Sequence, residues 1–283
     1  NNRDLSVSHW NASKVTIHLG NGDGTFQANP TVLDIGASGV PTSSGAADFD
    51  QDGNEDFAVG RPGISDPVSV FWGNGDGTFA TPLNIIPPGE PISLVVADFN
   101  GDGFPDIADA NHRCCSSGEV NVLYSNGAAR SFTAKNFIAG DIRNAGQRWG
   151  MAAADFDGEN GLDLVVANEG VAEVSVLLNN GLSSFGGRMT FAIAFEALSV
   201  DTGDFNGDTF PDIVAVGLGD GTGATFVSVL LGDGAGGFSA PTAFPAGTGT
   251  MWSLRVGDFD GDGILDLSVT TAFTGGIAGV MTI

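Results

Sequence analysis

The stretch "DFDGDGILDLSV", residues 258–269, carries four aspartates close together and then continues into apolar residues. If Asp258 is position 1, carboxylates occupy positions 1, 3, 5 and 9, and Gly263 at position 6 allows a sharp turn. Ca²⁺ prefers several oxygen ligands, which a short loop with this spacing supplies together with a backbone carbonyl at position 7. The stretch therefore predicts a calcium loop that leads into a β-strand.

The same motif recurs along the chain with a long period. It reads "DFDQDGNED" at 48–56, "DFNGDGFPD" at 98–106, "DFDGENGLD" at 155–163, "DFNGDTFPD" at 204–212 and "DFDGDGILD" at 258–266. The copies begin 49 to 57 residues apart. A two-helix repeat has a period of ~34 residues, whereas a four-stranded propeller blade has ~40 to 50. The spacing therefore favours a β-propeller.

Each repeat shows the same order of β-rich segments. An apolar segment such as "SLVVA" (93–97) precedes the motif, and a second such as "DLVVAN" (163–168) follows it. A third, for example "VSVFW" (68–72), leads into a glycine-rich turn such as "GNGDGTF" (73–79), and a weaker fourth closes the unit. The pattern predicts an all-β fold, one propeller of four-stranded antiparallel blades over 1–283. The predicted repeat units are 1–39, 40–90, 91–147, 148–196, 197–250 and 251–283.

The two ends of the chain resemble the middle of a repeat. Asp4 falls at position 9 of an incomplete motif, and "GIAGVMTI" at 276–283 matches a third strand. We therefore expect six or seven blades, with a chain that starts and ends within a blade. Either the chain is a piece of a longer protein, or another chain donates the remaining strands.

The aspartate-rich loop followed by a strand, paired with the Gly-Asp-Gly-Thr-Phe turn, resembles the FG-GAP or VCBS repeats of integrin α-subunit-like β-propellers. The resemblance covers nearly the whole chain. It implies calcium in the loops between first and second strands, and ligand binding on the opposite face, where second strands lead to third strands and fourth strands to the next blade.

The five loops predict up to five Ca²⁺ ions, one for each complete motif. An EF-hand is excluded, because position 12 never carries the required Glu and the flanking segments are strands. Thr209 stands at position 6 of its loop, where a β-branched residue predicts strain or a different shape. Phe259 at position 2 is expected to point away from the metal, into the packing between blades. The candidate ligands are Asp48, Asp50, Asp52, Asn54, Asp56, Asp98, Asn100, Asp102, Phe104, Asp106, Asp155, Asp157, Glu159, Gly161, Asp163, Asp204, Asn206, Asp208, Phe210, Asp212, Asp258, Asp260, Asp262, Ile264 and Asp266, with carbonyls at position 7.

Composition excludes several classes of partner. The net charge is −24, with only 10 Lys and Arg, whereas nucleic acids and anionic membranes require clustered basic residues. No apolar run reaches the ~20 residues of a membrane-spanning helix. Three His, one Tyr and two Lys leave few general bases, so we do not predict an enzyme.

Basic and aromatic residues are concentrated in loops of the face opposite the calcium motifs. They suit recognition of a carboxylate or a sugar, although solvated loop charges and packing between blades are the simpler explanation. Adjacent Cys114 and Cys115 in the same region leave open a vicinal disulfide, a bridge to another chain or free thiols. The candidate ligand-binding residues are His9, Trp10, Arg61, His112, Arg113, Arg143 and Arg148.

These observations predict a non-enzymatic, extracellular or cell-surface propeller, stabilised by calcium, that binds a protein or glycan ligand in adhesion or lectin-like recognition. Calcium loops favour an extracellular setting because free calcium there is ~10⁻³ M. Two alternatives stay open. One is a structural building block of a surface layer, a filament or a larger complex that assembles with other chains. The other is a propeller-type polysaccharide lyase that would use Arg143, Arg148 or His112.

Overall fold

A computed structural model describes most of the chain: residues 3–9, 12–36, 40–62, 68–112, 118–140, 150–168, 170–218, 224–248, 250–272 and 278–282. Among the candidate ligand-binding residues, Trp10, Arg113, Arg143 and Arg148 lie outside these ranges, as do both cysteines. The same holds for the side chain of His112.

The described residues form antiparallel sheets whose neighbouring strands are consecutive in the chain, except in one sheet where a small hairpin precedes the last strand. A sheet of three strands comes first: β1 (Leu5–His9), β2 (Lys14–His18) and β3 (Thr31–Asp34). Two four-stranded sheets follow: β4 (Ser43–Ala47), β5 (Asp56–Gly60), β6 (Val68–Phe71) and β7 (Leu83–Ile85), then β8 (Glu90–Ala97), β9 (Asp106–His112), β10 (Gly118–Ser125) and β11 (Phe132–Gly140).

The second half of the chain repeats this arrangement. One sheet contains β12 (Met151–Ala154), β13 (Asp163–Asn168), β14 (Glu173–Leu177) and β17 (Met189–Ala192), with a small hairpin of β15 (Asn179–Gly181) and β16 (Ser184–Phe185). The next has β18 (Glu196–Gly203), β19 (Asp212–Leu218), β20 (Ala224–Leu230) and β21 (Thr242–Thr248), and the last has β22 (Thr250–Gly257), β23 (Asp266–Ala272) and β24 (Ala278–Thr282). The only helical element in the described ranges is a 3₁₀ turn at Gly127–Ala129. The prediction of an all-β fold with four-stranded antiparallel sheets is confirmed.

By contacts, the chain forms two compact units. The first comprises residues 1–97, 102–114 and 120–136, and the second comprises 98–101, 115–119 and 137–283. The prediction of one domain over 1–283 stays a prediction. In the first unit, the side chains of β2, β5 and β6 form one apolar cluster, which includes Val15 and Phe57, and a second cluster includes Phe49, Trp72 and Ile107. The second unit has two clusters of its own, one around Val176 and Ile213 and another around Leu254.

Glycines in the turns between third and fourth strands serve two purposes. Gly75 and Gly77 have φ of 78° and 83°, which glycine adopts at little cost. Gly73 is required for a different reason, because a Cβ at this position would lie 2.1 Å from the carbonyl oxygen of Glu55. Gly20 and Gly232 make the same close approach to the carbonyls of Arg3 and Pro211. The first glycine of the turn thus lets the turn pack onto the end of the aspartate loop.

The phenylalanines at position 2 of the motif mostly pack as expected. Phe49, Phe99 and Phe156 are buried, and the rings of Phe132 and Phe238 lie edge-on to Phe49 and Phe156 respectively. The expectation was wrong for Phe259, which is 55% exposed. Phe49 and Phe156 are covered by side chains of the sheet that follows in the chain, whereas no sheet follows β24 among the described residues.

No helix in the described ranges has the length and hydrophobicity that crossing a bilayer would require.

Candidate metal centres

Each aspartate-rich loop begins directly after a first strand and ends at the first residue of a second strand. In loop 48–56, Asp48 Oδ1 accepts the N–H of Asp52 at 3.1 Å, and Asp48 Oδ2 accepts the N–H of Gly53 at 2.9 Å. Asp50 Oδ1 and Asp52 Oδ1 each accept the N–H two residues further along, at 3.1 and 2.9 Å. The carboxylates therefore fold the loop around themselves, as aspartates do in turns.

Three of the loops bring three carboxylates together. In each group, one oxygen from every residue lies within 4.8 Å of the others: Asp48, Asp50 and Asp56; Asp155, Asp157 and Asp163; Asp258, Asp260 and Asp262. Like charges at this separation repel one another, and a cation between them would relieve the repulsion. The donors are all oxygens, which suits Ca²⁺ or Mg²⁺ rather than a softer metal. These three groups thus fit the predicted ion in donor chemistry and in clustering.

The aspartates at position 9 have a structural role that the sequence analysis missed. Asp56 accepts the N–H of Phe49 at 3.0 Å and that of Gly73 at 2.7 Å, so it ties the loop to the turn after β6. Burial raises the pKa of Asp56 to about 6; the two N–H groups oppose this shift, and the charges of Asp50 and Asp48 add to it. A raised pKa means that ionisation costs more here than at an exposed site, and a nearby cation would lower that cost.

Asp163 and Asp212 repeat this arrangement. Asp163 accepts the N–H groups of Phe156 and Asn179, both at 2.7 Å, and burial raises its pKa to about 6. Asp212 accepts those of Phe205 and Gly232 at 2.9 and 2.8 Å, and burial raises its pKa as well. The aspartate at position 9 therefore joins the loop to the following turn through hydrogen bonds, in addition to its predicted role as a metal ligand.

Loop 204–212, which has Asn at position 3, is built differently at that position. In loop 204–212, Asn206 Nδ2 donates to Asp208 Oδ2 at 2.8 Å, so an amide neutralises part of the charge of the carboxylate. Thr209 has φ of 77°, which is unfavourable for a β-branched residue, and the expected strain is present. The loop keeps the common shape, because Thr209 N–H donates to Asp204 Oδ2 at 2.9 Å as Gly53 N–H does to Asp48. In loop 98–106, Asp98 accepts the N–H of Gly101 and Asp102 accepts that of Phe104.

Position 7 was predicted to contribute a backbone carbonyl. A Cβ on Gly75 would lie 2.2 Å from Asn54 Oδ1, and one on Gly127 or Gly234 would lie 2.4 Å from the ring of Phe104 or Phe210. The side chains of Asn54, Phe104 and Phe210 thus pack against the turn of the same sheet, and the carbonyl remains the candidate ligand at these positions.

The described candidates for ligand binding do not form one exposed patch. Arg61 is 6% exposed and its Nη1 donates to the carbonyl oxygen of Ile35, so the expectation of a surface guanidinium was wrong. A buried guanidinium requires acceptors, and a backbone carbonyl supplies one here. His9 is half-buried, with Nε2 at 3.0 Å from Thr16 Oγ1. The single tyrosine, Tyr124, is buried, and burial raises its pKa, which makes it a poor acid–base group.

Arg130 contacts an aspartate loop and was not among the candidate residues predicted from the sequence. Its guanidinium contacts Asp50 and Asp52 in loop 48–56, at 2.5 and 3.1 Å. The available signal was the turn "SNGAARSF" (125–132), which places Arg130 where "GNGDGTF" (73–79) has a glycine.

Solved structures similar to this chain are β-propellers. The BP39L lectin from Burkholderia pseudomallei superposes with a TM-score of 0.60 at 15% identity, over 99% of this chain and 80% of the lectin. A mutant of the Aleuria aurantia lectin in complex with Fucα1-6GlcNAc superposes with a TM-score of 0.57 at 12% identity, over 99% and 87%. Another structure of a lectin from the same fungus is described as a six-bladed β-propeller. The fold is therefore a β-propeller of four-stranded antiparallel blades.

Among curated proteins, phosphatidylinositol-glycan-specific phospholipase D is similar to part of the chain. The rat protein is 29% identical over 148 residues and the mouse protein 30% identical over 146. The chain spans less than a fifth of the length of these relatives, and each match covers 44% of this chain. A model of the FG-GAP-like repeat matches residues 2–59, 48–108, 155–215 and 204–269. Because these matches cover most of the chain, the protein belongs to the family of FG-GAP-like repeat proteins.

Proposed function

We propose that this chain is a calcium-stabilised β-propeller that acts by binding a ligand and not by catalysis. The observation that carries the proposal is the convergence of three carboxylates in each of three aspartate loops. The loops with Asn at position 3 are proposed as further sites, with one fewer charge, for a total of up to five ions.

Calcium would supply positive charge where the chain concentrates negative charge. Asp48, Asp50 and Asp56 would hold it in the first complete loop. The groups in loops 155–163 and 258–266 are Asp155, Asp157 and Asp163, and Asp258, Asp260 and Asp262. Asp56 also holds the turn after β6, so an ion bound there would stabilise the loop and the turn together. In this proposal calcium is structural, and it keeps the sheets in the arrangement that presents the opposite face.

The ligand is proposed to be a protein or a glycan, bound outside the cell or at its surface. The lectins with similar folds bind sugars, one of them Fucα1-6GlcNAc, at identities that show only the fold. The acidic body, with net charge −24, supports a setting in which calcium is abundant. An adhesion or recognition role follows from this proposal, and a building block of a larger assembly is its main rival.

Two measurements test the proposal. Isothermal titration calorimetry of metal-free protein with CaCl₂ should show at least three Ca²⁺ ions bound per chain. The absence of any heat of binding under all conditions would contradict the proposed calcium sites. A glycan array probed in calcium and in EDTA should show binding only in calcium. Particles much larger than one chain at native concentration, without array binding, would favour the building-block alternative.

A further inference from the structure

Arg130 occupies a position in its turn where the comparable turns have glycine. The turn is closed by Asn126 N–H donating to the carbonyl of Ser131 at 2.9 Å, as Asn74 N–H donates to Thr78 at 3.0 Å. The turn of Arg130 is one residue longer, and counted back from the second closing residue, Arg130 corresponds to Gly77. Arg130 has φ of 49° and Gly77 has φ of 83°. A left-handed conformation is costly for a residue with a Cβ, so the backbone of the turn is strained at Arg130.

The side chain of Arg130 lies across the aspartates of the preceding sheet's loop. Its Nε contacts Asp50 Oδ2 at 2.5 Å and its Nη2 contacts Asp52 Oδ2 at 3.1 Å. The guanidinium also lies over the ring of Trp72, 5.2 Å from the centroid, which fixes its plane. The side chain of Asp50 is 4% exposed and that of Arg130 is 43% exposed, so water reaches this ion pair from the arginine side only.

The oxygens that Arg130 contacts are those that the loop itself leaves free. Asp50 Oδ1 and Asp52 Oδ1 accept backbone N–H groups, whereas the Oδ2 atom of each residue accepts the guanidinium. Asp50 is one of the three carboxylates that converge in this loop. The guanidinium and a metal ion would therefore compete for the carboxylate of Asp50.

The corresponding turn against loop 155–163 lacks such a group. Gly236 occupies the equivalent position there, its N–H donates to the carbonyl of Phe156 at 3.0 Å, and a Cβ on it would lie 3.6 Å from Asp157 Cβ. Asp157, like Asp50, is at position 3 of its loop. The geometry thus places this turn residue beside position 3 in both loops, and only loop 48–56 receives a cation from it.

We propose that Arg130 is an internal competitor of calcium at loop 48–56, which stabilises that loop without metal and lowers its calcium affinity relative to loop 155–163. This inference rests on the proposed calcium binding. It makes the sites unequal: when calcium falls, loop 48–56 would release its ion first and Arg130 would take its place, so one positive charge would still face the carboxylates of the loop.

The test uses Trp72 as a local reporter. In a Trp10→Phe, Trp149→Phe, Trp252→Phe background, Tb³⁺ bound in loop 48–56 should be sensitised by Trp72, and its displacement by CaCl₂ gives the calcium affinity of that loop. Arg130→Gln removes the charge and keeps a polar side chain with the same first three carbon atoms. Arg188→Gln is the matched control, because Arg188 pairs with Glu173 at 3.5 Å, outside the aspartate loops.

We expect Arg130→Gln to tighten calcium binding on the order of tenfold, the scale of two charge-assisted hydrogen bonds. In EDTA the same variant should melt about 2 °C lower, while Arg188→Gln changes neither value. Arg130→Gly, which also relieves the left-handed strain, should show the same gain in affinity. If both Arg130 variants bind calcium as tightly as wild type or more weakly, the inference about Arg130 is overturned, while the proposed function is unaffected. If neither Ca²⁺ nor Tb³⁺ binds any variant, the proposed function fails and the inference fails with it.

Discussion

At the scale of single residues, Asp109 on β9 is a fully buried carboxylate outside the metal motifs. Asn121 Nδ2 donates to it at 3.1 Å and also to the carbonyl of Pro88 at 2.9 Å. Burial raises the pKa of Asp109 to about 8, and the amides of Asn121 and Asn111 only partly oppose this shift. The carboxyl group is therefore mainly protonated in the folded protein at neutral pH.

This environment predicts a specific pH dependence of stability. The pKa of Asp109 is about 8 in the fold and near 3.8 when unfolded, so the folded state holds a proton that the unfolded state releases. The contribution to stability is complete below the unfolded pKa and is lost as pH rises toward 8, at up to about 1.4 kcal/mol per pH unit. Urea unfolding of wild type and Asp109→Asn from pH 5 to 8.5 measures it. The free energy of unfolding of the variant should increase relative to that of wild type as pH rises. A difference that does not change with pH would contradict the raised pKa of Asp109.

Thr209 offers a second test at the residue scale. Its loop keeps the common hydrogen bonds at the expense of a left-handed threonine. We expect Thr209→Gly to stabilise the protein by about 0.5–1 kcal/mol, since relief of strain exceeds the entropy that glycine adds. Gly263→Thr is the mirror substitution at the same position of loop 258–266 and should destabilise by a similar amount. Thermal unfolding in calcium compares them; destabilisation by Thr209→Gly would mean that the threonine side chain makes a compensating contact.

At the scale of elements, each aspartate loop and the turn beside it form one packed unit. Asp56 joins them through Gly73 N–H, and the absence of a Cβ on Gly73 lets the turn approach Glu55. Neighbouring sheets are joined at the same end, for example by Ser125 Oγ donating to the carbonyl of Phe49 at 2.9 Å. The loops are therefore held to the sheets by hydrogen bonds and packing that do not involve a metal ion.

Gly73→Ala tests this packing. The added methyl group would lie 2.1 Å from a backbone oxygen, so the turn must move and weaken the hydrogen bond to Asp56. We expect a loss of about 2–3 kcal/mol, in calcium and in EDTA alike. Gly187→Ala is the control, because nothing lies within 4 Å of a Cβ at Gly187. A loss that appears only in calcium would show that the turn matters for metal binding and not for packing.

At the scale of the whole molecule, acidity and stability are coupled through the loops. About half of the 34 acidic residues belong to the five motifs, where ionised side chains repel one another. When the free calcium concentration is 100 times the dissociation constant of a site, binding at that site adds about 2.7 kcal/mol to the free energy of unfolding.

Chelation should therefore lower the melting temperature by more than about 10 °C. Scanning calorimetry in CaCl₂ and in excess EDTA measures the change, and readdition of calcium beyond the chelator should restore the original value. An unchanged melting temperature in EDTA would contradict a structural role for calcium.

The architecture was predictable because its signals are local in the chain. Alternating apolar residues, glycine-rich turns and the recurring nine-residue loop identify strands and their order, and the repeat period distinguishes blades from helical repeats. The convergence of Asp48, Asp50 and Asp56 follows from the same local spacing. Arg61 was misjudged because its position in a loop gave no indication that Ile35, 26 residues earlier, would bury its guanidinium.

The all-β repeat, the family resemblance and the carboxylate loops can be read from the amino-acid sequence, since each of these is encoded within one repeat. The packing of the folded chain is needed to know that Phe259 is exposed while Phe49 is buried, and that Arg130 lies on Asp50 of another sheet. Such contacts join residues about 80 positions apart. They depend on how one sheet packs against the next, and the pattern within a single repeat carries no information about that packing.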